Sequence, residues 1–305
     1  MVAALVNGTR VIGLDLGGTK ILGGILDEHG RVLERHEVHT PTDSQEALLV
    51  AIEAVVDQLF SEEIAAVAVG VPSRIDSRTG RVMGSVNIPL ADVDLRDRLR
   101  ARFRRPTGVG NDANVATLGE WRAGAGRGTR DMVMLTLGTG VGGGVVIEGR
   151  PYYGWAELGH VVVQAFGERC QGTCTGHGHL EAVASGTAAD RAAQELWGAD
   201  AGAEELVERA KAGEPDARDA LAAMGRLLGA GVGTLVNVFN PELVVIGGGF
   251  GVACGELLLG PALEVARVEA LAPAGERLRL VEAELGADAG LIGAAFLALE
   301  ALDGS

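Results

Sequence analysis

Apolar residues in this chain fall in short runs that end in glycine or in an acid. Val11–Asp15 is one such run, Gly17–Gly18 make a turn, and Lys20–Asp27 alternates apolar with small residues. Two extended runs parted by adjacent glycines predict a β-hairpin. A third strand is expected around Arg31–Val38, and Ser44–Leu59 carries Ala, Leu, Ile and Val at helical spacing. Ile64–Val71 reads as a buried strand broken at Pro72, and Leu95–Phe103 as a charged amphipathic helix. Thr107–Gly110 follows as a short strand and Ala113–Ala123 as a helix.

The pattern then begins again. Met132–Leu137 is an apolar strand, Gly138–Gly142 a Gly–Thr turn, and Gly143–Glu148 a returning strand. This is an internal repeat of about 120 residues: strand, Gly/Thr turn, strand. Two halves that each offer a Gly/Thr hairpin suggest a cleft with a phosphate chain clamped between them. The last third is expected to be helical apart from the strand Leu243–Ile246, with Leu291–Ala301 as an apolar terminal helix.

Composition sharpens this picture. The 305 residues suit two domains, 47% are apolar and only 4% aromatic, so the interior is aliphatic. Such a core favours parallel α/β architecture, whose strands are buried on both faces. The 47 glycines cluster at strand ends, as backbone-lined ligand sites require. A net charge of −15 excludes nucleic acid and anionic membrane surfaces as natural partners. Phosphates must therefore be held by local amides and a metal. Three cysteines cannot build a disulfide framework, and Cys170 and Cys174 sit among histidines, which points to a metal in a reducing, cytoplasmic compartment. No signal peptide is expected. The stretch Leu243–Val265 is apolar enough to suggest a membrane span, but its glycines, Glu256 and Pro261 favour strand, turn and helix.

Five motifs carry candidate chemistry. In Asp15-Leu16-Gly17-Gly18-Thr19-Lys20, glycine amides can approach phosphate oxygens, Thr19 can donate to them, and Asp15 can hold a Mg²⁺ shell; a plain hairpin with an acidic strand end is the alternative. Gly138-Thr139-Gly140-Val141-Gly142-Gly143 satisfies a dinucleotide fingerprint, but a strand follows where that fingerprint needs a helix, so a phosphate hairpin is the better reading. Gly247-Gly248-Gly249 at a strand's carboxyl end can accept an adenine or ribose, or can be a tight strand–helix turn. Asn111-Asp112-Ala113-Asn114 puts a carboxylate at a helix start, where it serves either as a cap or as the base that phosphoryl transfer to an alcohol requires. Glu157-Leu158-Gly159-His160 followed by Cys170, Cys174, His177, His179 and Glu181 gathers the N and S ligands that tetrahedral Zn²⁺ prefers. Cys254 lies in an apolar helical region and reads as a core residue.

Together these motifs resemble the ROK family (repressors, uncharacterised reading frames and sugar kinases), particularly its bacterial glucokinases, from Val11 to about Leu299. The resemblance implies an actin-like (hexokinase/ribonuclease H-like) ATPase fold, with two α/β domains around a central cleft. The domains expected are 1–114 with about 290–305, and 115–289 with the zinc loop. It implies ATP-dependent phosphorylation of a hexose at its C6 hydroxyl, glucose first, and N-acetylmannosamine or fructose as alternatives. Polyphosphate is a donor for some members. Carried over, Asp112 is the general base and Asn111 its hydrogen-bonding neighbour, while Asn87, Glu157, His160 and Glu181 hold sugar hydroxyls. Asp15, Gly17, Gly18, Thr19 and Lys20 with Gly138, Thr139 and Gly140 would hold ATP and Mg²⁺, and Gly247, Gly248 and Gly249 would border the adenosine.

The chain departs from the family pattern in three places. Three residues separate Cys170 from Cys174 where one separates the two Cys in the family, and the third Cys position holds His179. The ligand set implied is His160, Cys170, Cys174 and His179, with His177 as a substitute. Ser73 stands where the family carries a further Gly, and no Trp follows Asn87-Ile88-Pro89. A sugar-sensing regulator is the reading from another class; with the first strand at Val11, no DNA reader is expected ahead of it. The partners expected are a sugar and a nucleotide, within a homodimer or homotetramer.

Overall fold

The structure, a computed structural model, describes residues 8–85 and 87–303. The expectation about a signal peptide falls on residues outside them. The chain forms two compact units. One runs to Arg127 and includes Tyr153–Trp155 and the chain from Ala287; the other is Gly128–Tyr152 with Ala156–Gly286.

The first unit is built from β1 (Arg10–Leu16), β2 (Lys20–Asp27), β3 (Val32–His39), α1 (Gln45–Leu59), β4 (Ile64–Val71), β5 (Ser73–Asp76), β6 (Arg81–Ser85), α2 (Leu95–Phe103), β7 (Thr107–Asn111) and α3 (Asp112–Ala123). Its sheet has the order β3-β2-β1-β4-β7: β1, β2 and β3 form an antiparallel meander, and β1, β4 and β7 run parallel. The hydrophobic pattern reports this directly. β4 is buried along nearly its whole length and reads as a continuous aliphatic run, whereas the edge strand β3 alternates polar and half-buried residues. Helix α1 starts where Ser44 Oγ accepts from the Ala47 amide, and it buries Leu48, Ile52, Val55, Val56 and Leu59.

The β5–β6 hairpin was not foreseen. Its strands are four and five residues long and carry Arg74, Asp76 and Arg81, so no apolar periodicity announces them.

In the second unit, β8 (Met132–Leu137), β9 (Val141–Ile147) and β10 (Arg150–Pro151) repeat the meander. Helices α4 (Leu180–Ala184), α5 (Gly186–Trp197), α6 (Ala203–Ala212) and α7 (Pro215–Phe239) lead to β11 (Leu243–Gly247), α8 (Gly249–Cys254), α9 (Glu256–Glu269), α10 (Ala274–Arg277) and β12 (Leu280–Glu282). The order β10-β9-β8-β11-β12, with β8, β11 and β12 parallel, copies the first sheet, so the sequence repeat is a repeat of topology.

The last third holds one strand more than expected. Three residues are too few to show a period, and β12 becomes a strand by pairing Leu280–Glu282 with Val244–Ile246. The stretch Leu243–Val265 is β11, α8 and part of α9. Helix α7 is long and apolar enough to cross a bilayer, but its Leu221, Leu228, Val232 and Leu235 lie in the core of this unit.

The terminal helix α11 (Ala289–Asp303) returns to the first unit. It packs on β1 and on α3, whose whole length therefore counts with that unit.

Candidate active site

In the first unit the carboxyl ends of β1 and β7 deliver two acids. β7 ends at Asn111, opposite Val71 of β4, and α3 starts at the next residue. Asn111 Oδ1 accepts from the amides of Ala113 (3.0 Å) and Asn114 (3.2 Å), so asparagine supplies the helix cap. Asp112 is thereby released from capping. Its Oδ1 accepts from Asn111 Nδ2 at 3.0 Å and from the Ala113 amide at 2.9 Å, which orients the carboxyl group. Burial pushes this carboxyl up to about 6; the Asp15 charge adds to the rise and the Ala113 N–H opposes it. Burial likewise lifts Asp15 to about 6, offset in part by Lys20. Two neighbouring acids poised near neutrality form the unit's clearest chemical feature.

Asp15 is set by α11. A Cβ at Gly290 would lie 2.5 and 2.7 Å from the two Asp15 carboxylate oxygens, so only glycine leaves the carboxylate its place at the start of that helix. The turn after Asp15 is closed by the Gly17 amide on the Lys20 carbonyl (2.9 Å) and by Thr40 Oγ1 on the Gly17 carbonyl (2.8 Å), with Gly18 and Thr19 exposed. Lys20 was expected at the phosphates, but its ammonium donates to Glu37 across β2 and β3 at 2.9 Å. Asn87 is exposed just past β6. Ser73 gives its carbonyl to Asn111 Nδ2 at 3.3 Å.

In the second unit, a cavity of about 610 Å³ opens beside the β8–β9 hairpin. Gly138, Thr139, Thr187, Lys211, Gly249 and Phe250 line it, with Asp190, Glu204 and Glu208. Of the three glycines expected at the adenosine, Gly247 is buried at the end of β11, Gly248 packs against the Leu137 backbone, and Gly249 reaches the cavity. Gly140 serves elsewhere. It lies against the Glu181 carboxylate, so that any side chain there would collide, and the neighbouring Val141 amide donates to Glu181 Oε2 at 3.0 Å. The start of α5 closes on the hairpin: the Gly186 amide donates to the Gly138 carbonyl (2.7 Å) and Thr187 Oγ1 to the Thr139 carbonyl (2.8 Å). Sequence reading missed Thr187, Lys211 and Phe250. Gly186-Thr187 is one of seven Gly-Thr pairs in the sequence, so that dipeptide did not single out Thr187.

The same unit gathers His160, Cys170, Cys174 and His179, each with one ligand atom, all within 4.8 Å of one another. Cys174 Sγ and His179 Nδ1 are 3.6 Å apart, matching the roughly 3.6 Å edge of a tetrahedron with Zn–S and Zn–N bonds of about 2.3 and 2.05 Å. His160 Nδ1 is buried without a partner among the described protein atoms, a cost that a bound cation removes. The residues thus fit a tetrahedral cation. His177 stays outside, its Nδ1 near the Gly167 carbonyl at 3.2 Å. Cys170 Sγ also reaches Glu181 Oε1 at 3.7 Å, so Glu181 links the cluster to the hairpin. Glu157 is exposed at the start of the 3-10 turn that carries His160.

Known proteins resemble this chain over nearly its whole length. The ROK family model matches residues 11–301. The chain is 37% identical to a glucokinase of Thermotoga maritima, over 97% of this chain and 99% of that one. Among solved structures, a ROK family glucokinase from Streptomyces griseus in complex with glucose and AMPPNP superposes with a TM-score of 0.80 at 34% identity, covering 95% of this chain and 99% of that one. A ROK hexokinase from Thermus thermophilus reaches 0.85 at 35% identity, over 97% and 100%. With both hairpins, the Asn111–Asp112 pair and the Cys/His cluster in place, the chain belongs to the ROK family.

Proposed function

We propose that this chain is a glucokinase, transferring the γ-phosphoryl group of ATP to the C6 hydroxyl of glucose, with Asp112 as the general base. The observation that carries this reading is that Asn111, not Asp112, caps α3. The acid is left oriented and its pKa raised, as a proton acceptor for an alcohol needs. The Streptomyces griseus relative, whose complex holds glucose and a nucleotide analogue, supports the choice of substrates.

In the reaction the C6 oxygen gives its proton to Asp112 and attacks the γ-phosphorus, and the bond to the ADP oxygen breaks. The amides of Gly18 and Thr19 in the first hairpin turn and of Thr139 and Gly140 in the second supply donors for the phosphates, while those of Gly17 and Gly138 close the turns, and the 610 Å³ cavity takes the nucleoside. Mg²⁺ arriving with ATP neutralises phosphate charge, and Asp15 is the carboxylate that would meet its water shell. His160, Cys170, Cys174 and His179 would hold a structural Zn²⁺, which supplies the fixed charge that orders the loop. His160 then presents its second ring nitrogen to the sugar, with Glu157 and Glu181 as further sugar-binding residues. The enzyme works in the cytoplasm.

A coupled assay of hexoses with ATP and with polyphosphate tests this. Glucose with ATP is expected to give the highest kcat/KM; a chain that phosphorylates no hexose sinks the reading.

The pH profile follows from the raised carboxyl. Asp112 accepts a proton only when ionised, so kcat/KM is expected to rise through a midpoint near 6 and level off above 7. A midpoint near 4, the ordinary carboxylate value, would exclude Asp112 as the titrating base. Gly290→Ala pushes the Asp15 carboxylate from its place and is expected to lower kcat about 100-fold while the chain still folds. Steady-state kinetics alongside circular dichroism check this.

A further inference from the structure

We propose that Trp155 forms the apolar wall of the acceptor-sugar site and selects hexopyranoses whose ring hydroxyls are equatorial. This rests on the kinase reading above and deepens it, because it names what distinguishes one sugar from another.

Trp155 belongs to the first unit through a three-residue strap, Tyr153–Trp155, that is pinned at both ends. The Tyr153 hydroxyl donates to Glu300 Oε2 on α11. Arg122 of α3, the helix that Asp112 begins, lies 3.6 Å from the other Glu300 oxygen. At the far end the Trp155 indole N–H donates to the Ile75 carbonyl at 2.8 Å.

That carbonyl lies two residues along β5 from the Ser73 carbonyl, which accepts from Asn111 Nδ2. The β5–β6 pairing shifts register between Arg74 and Ile75, yet both carbonyls are used by side chains from outside the hairpin. The indole and the Asn111–Asp112 pair therefore hang from the same short strand, two residues apart. Across β5, Ser73 pairs with Ser85, and Asn87 follows two residues later. Base, amide and indole converge on β5.

The indole is 63% exposed although its one polar atom is satisfied, so what it offers outward is ring surface. The other two tryptophans behave differently. Arg122 covers Trp121 and Arg209 covers Trp197, each guanidinium 4.3 Å from the ring centroid. Among the described residues no cation or ring lies over Trp155.

A flat, fixed, uncovered π-face suits a partner with polarised C–H bonds on one side. A pyranose with equatorial hydroxyls has such a face, with its hydroxyls around the rim for Asn87, Asn111 and Asp112. An axial hydroxyl would bring an oxygen against the indole, where no donor meets it.

The test uses the full chain and two substitutions. Trp155→Ala is expected to raise KM for glucose about tenfold with kcat within about threefold, and to shrink the preference for glucose over mannose and galactose, each of which carries one axial ring hydroxyl. Trp155→Phe keeps a ring and is expected to hold KM within about threefold of wild type. Glucose is expected to change the intrinsic tryptophan emission of wild type, and Trp155→Phe to abolish that change. An unchanged KM in Trp155→Ala, an equal loss for all three sugars, or an emission change that survives Trp155→Phe overturns the proposal. If Trp155→Ala fails to fold, the emission arm still decides. A wild type that turns over no hexose sinks the kinase reading itself, whereas normal glucose turnover with these variants unaffected sinks only the role of Trp155.

Discussion

Asp112→Asn is expected to fold, to bind glucose with near wild-type affinity, and to lose phosphorylation by about 10³–10⁴-fold. The amide keeps the shape of the carboxyl and can still accept from Asn111 Nδ2 and the Ala113 amide. It cannot take a proton. The same substitution carries a stability signature that a merely structural residue would not show. The folded carboxyl lies near 6, above the roughly 4 of an unfolded aspartate. Between those values the folded state binds the extra proton, so stability falls as pH rises from about 4 to about 6, and the penalty is complete above 6. The neutral asparagine escapes it. At pH 7.5 the variant is expected to melt about 2–4 °C above wild type, with the gap closing below pH 5. Differential scanning calorimetry at several pH values reads this, and glucose titration calorimetry reads binding. Turnover within tenfold of wild type would remove Asp112 from the chemistry.

Removing the cysteines of the candidate metal cluster is expected to give the second large effect. Cys170→Ser and Cys174→Ser are each expected to lose the ion, to lower the melting temperature, and to raise KM for glucose by about 10–100-fold while kcat falls less. The reason is geometric. Beyond the 3-10 turn at His160, the segment to His179 has no helix or strand and is folded on itself by loop bonds, such as Cys170 N–H to the Gly176 carbonyl and Leu180 N–H to the Val161 carbonyl. A tetrahedral ion would add side-chain ties between His160 and the Cys170–His179 loop. Through His160 and Glu181 those ties reach residues assigned to the sugar and to the β8–β9 hairpin. Elemental analysis of purified protein is expected to find about one zinc per chain. His177→Ala is expected to keep the metal, because that ring lies outside the cluster. Zinc-free protein with full activity would refute the site.

Much of this architecture is legible before any coordinates are known, and the legible parts share a cause. β4 and β11 are buried along nearly their whole length and read as runs of aliphatic residues and glycine, and β1 and β8 read as apolar runs interrupted near their carboxyl ends by Asp15 and Thr136. The turns between β1 and β2 and between β8 and β9 need glycine, and the glycines stand out. The illegible parts are those whose state depends on a distant partner. β12 is a strand because β11 lies beside it, and β5–β6 is a hairpin despite its charges. Thr187 and Lys211 come to the cavity beside the β8–β9 hairpin from α5 and α6, which no local pattern marks as functional. Lys20 shows what local pattern leaves out: its motif suggests a phosphate ligand, and the neighbouring strand places Glu37 within 2.9 Å of its ammonium.

The sequence alone determined the family, the repeated hairpins and the residue types of the chemistry, because backbone geometry and ligand preference act over a few residues. It named Asp112 and the Cys/His loop. Tertiary structure decided what surrounds each. It handed the cap of α3 to Asn111, chose His179 over His177, spread Gly138 to Gly140 over two tasks, and tied Trp155 to the strand beside Asn111. These outcomes depend on which groups approach within hydrogen-bond distance across long sequence separations, and on how far burial raises the free energy of a charge. Local sequence encodes neither.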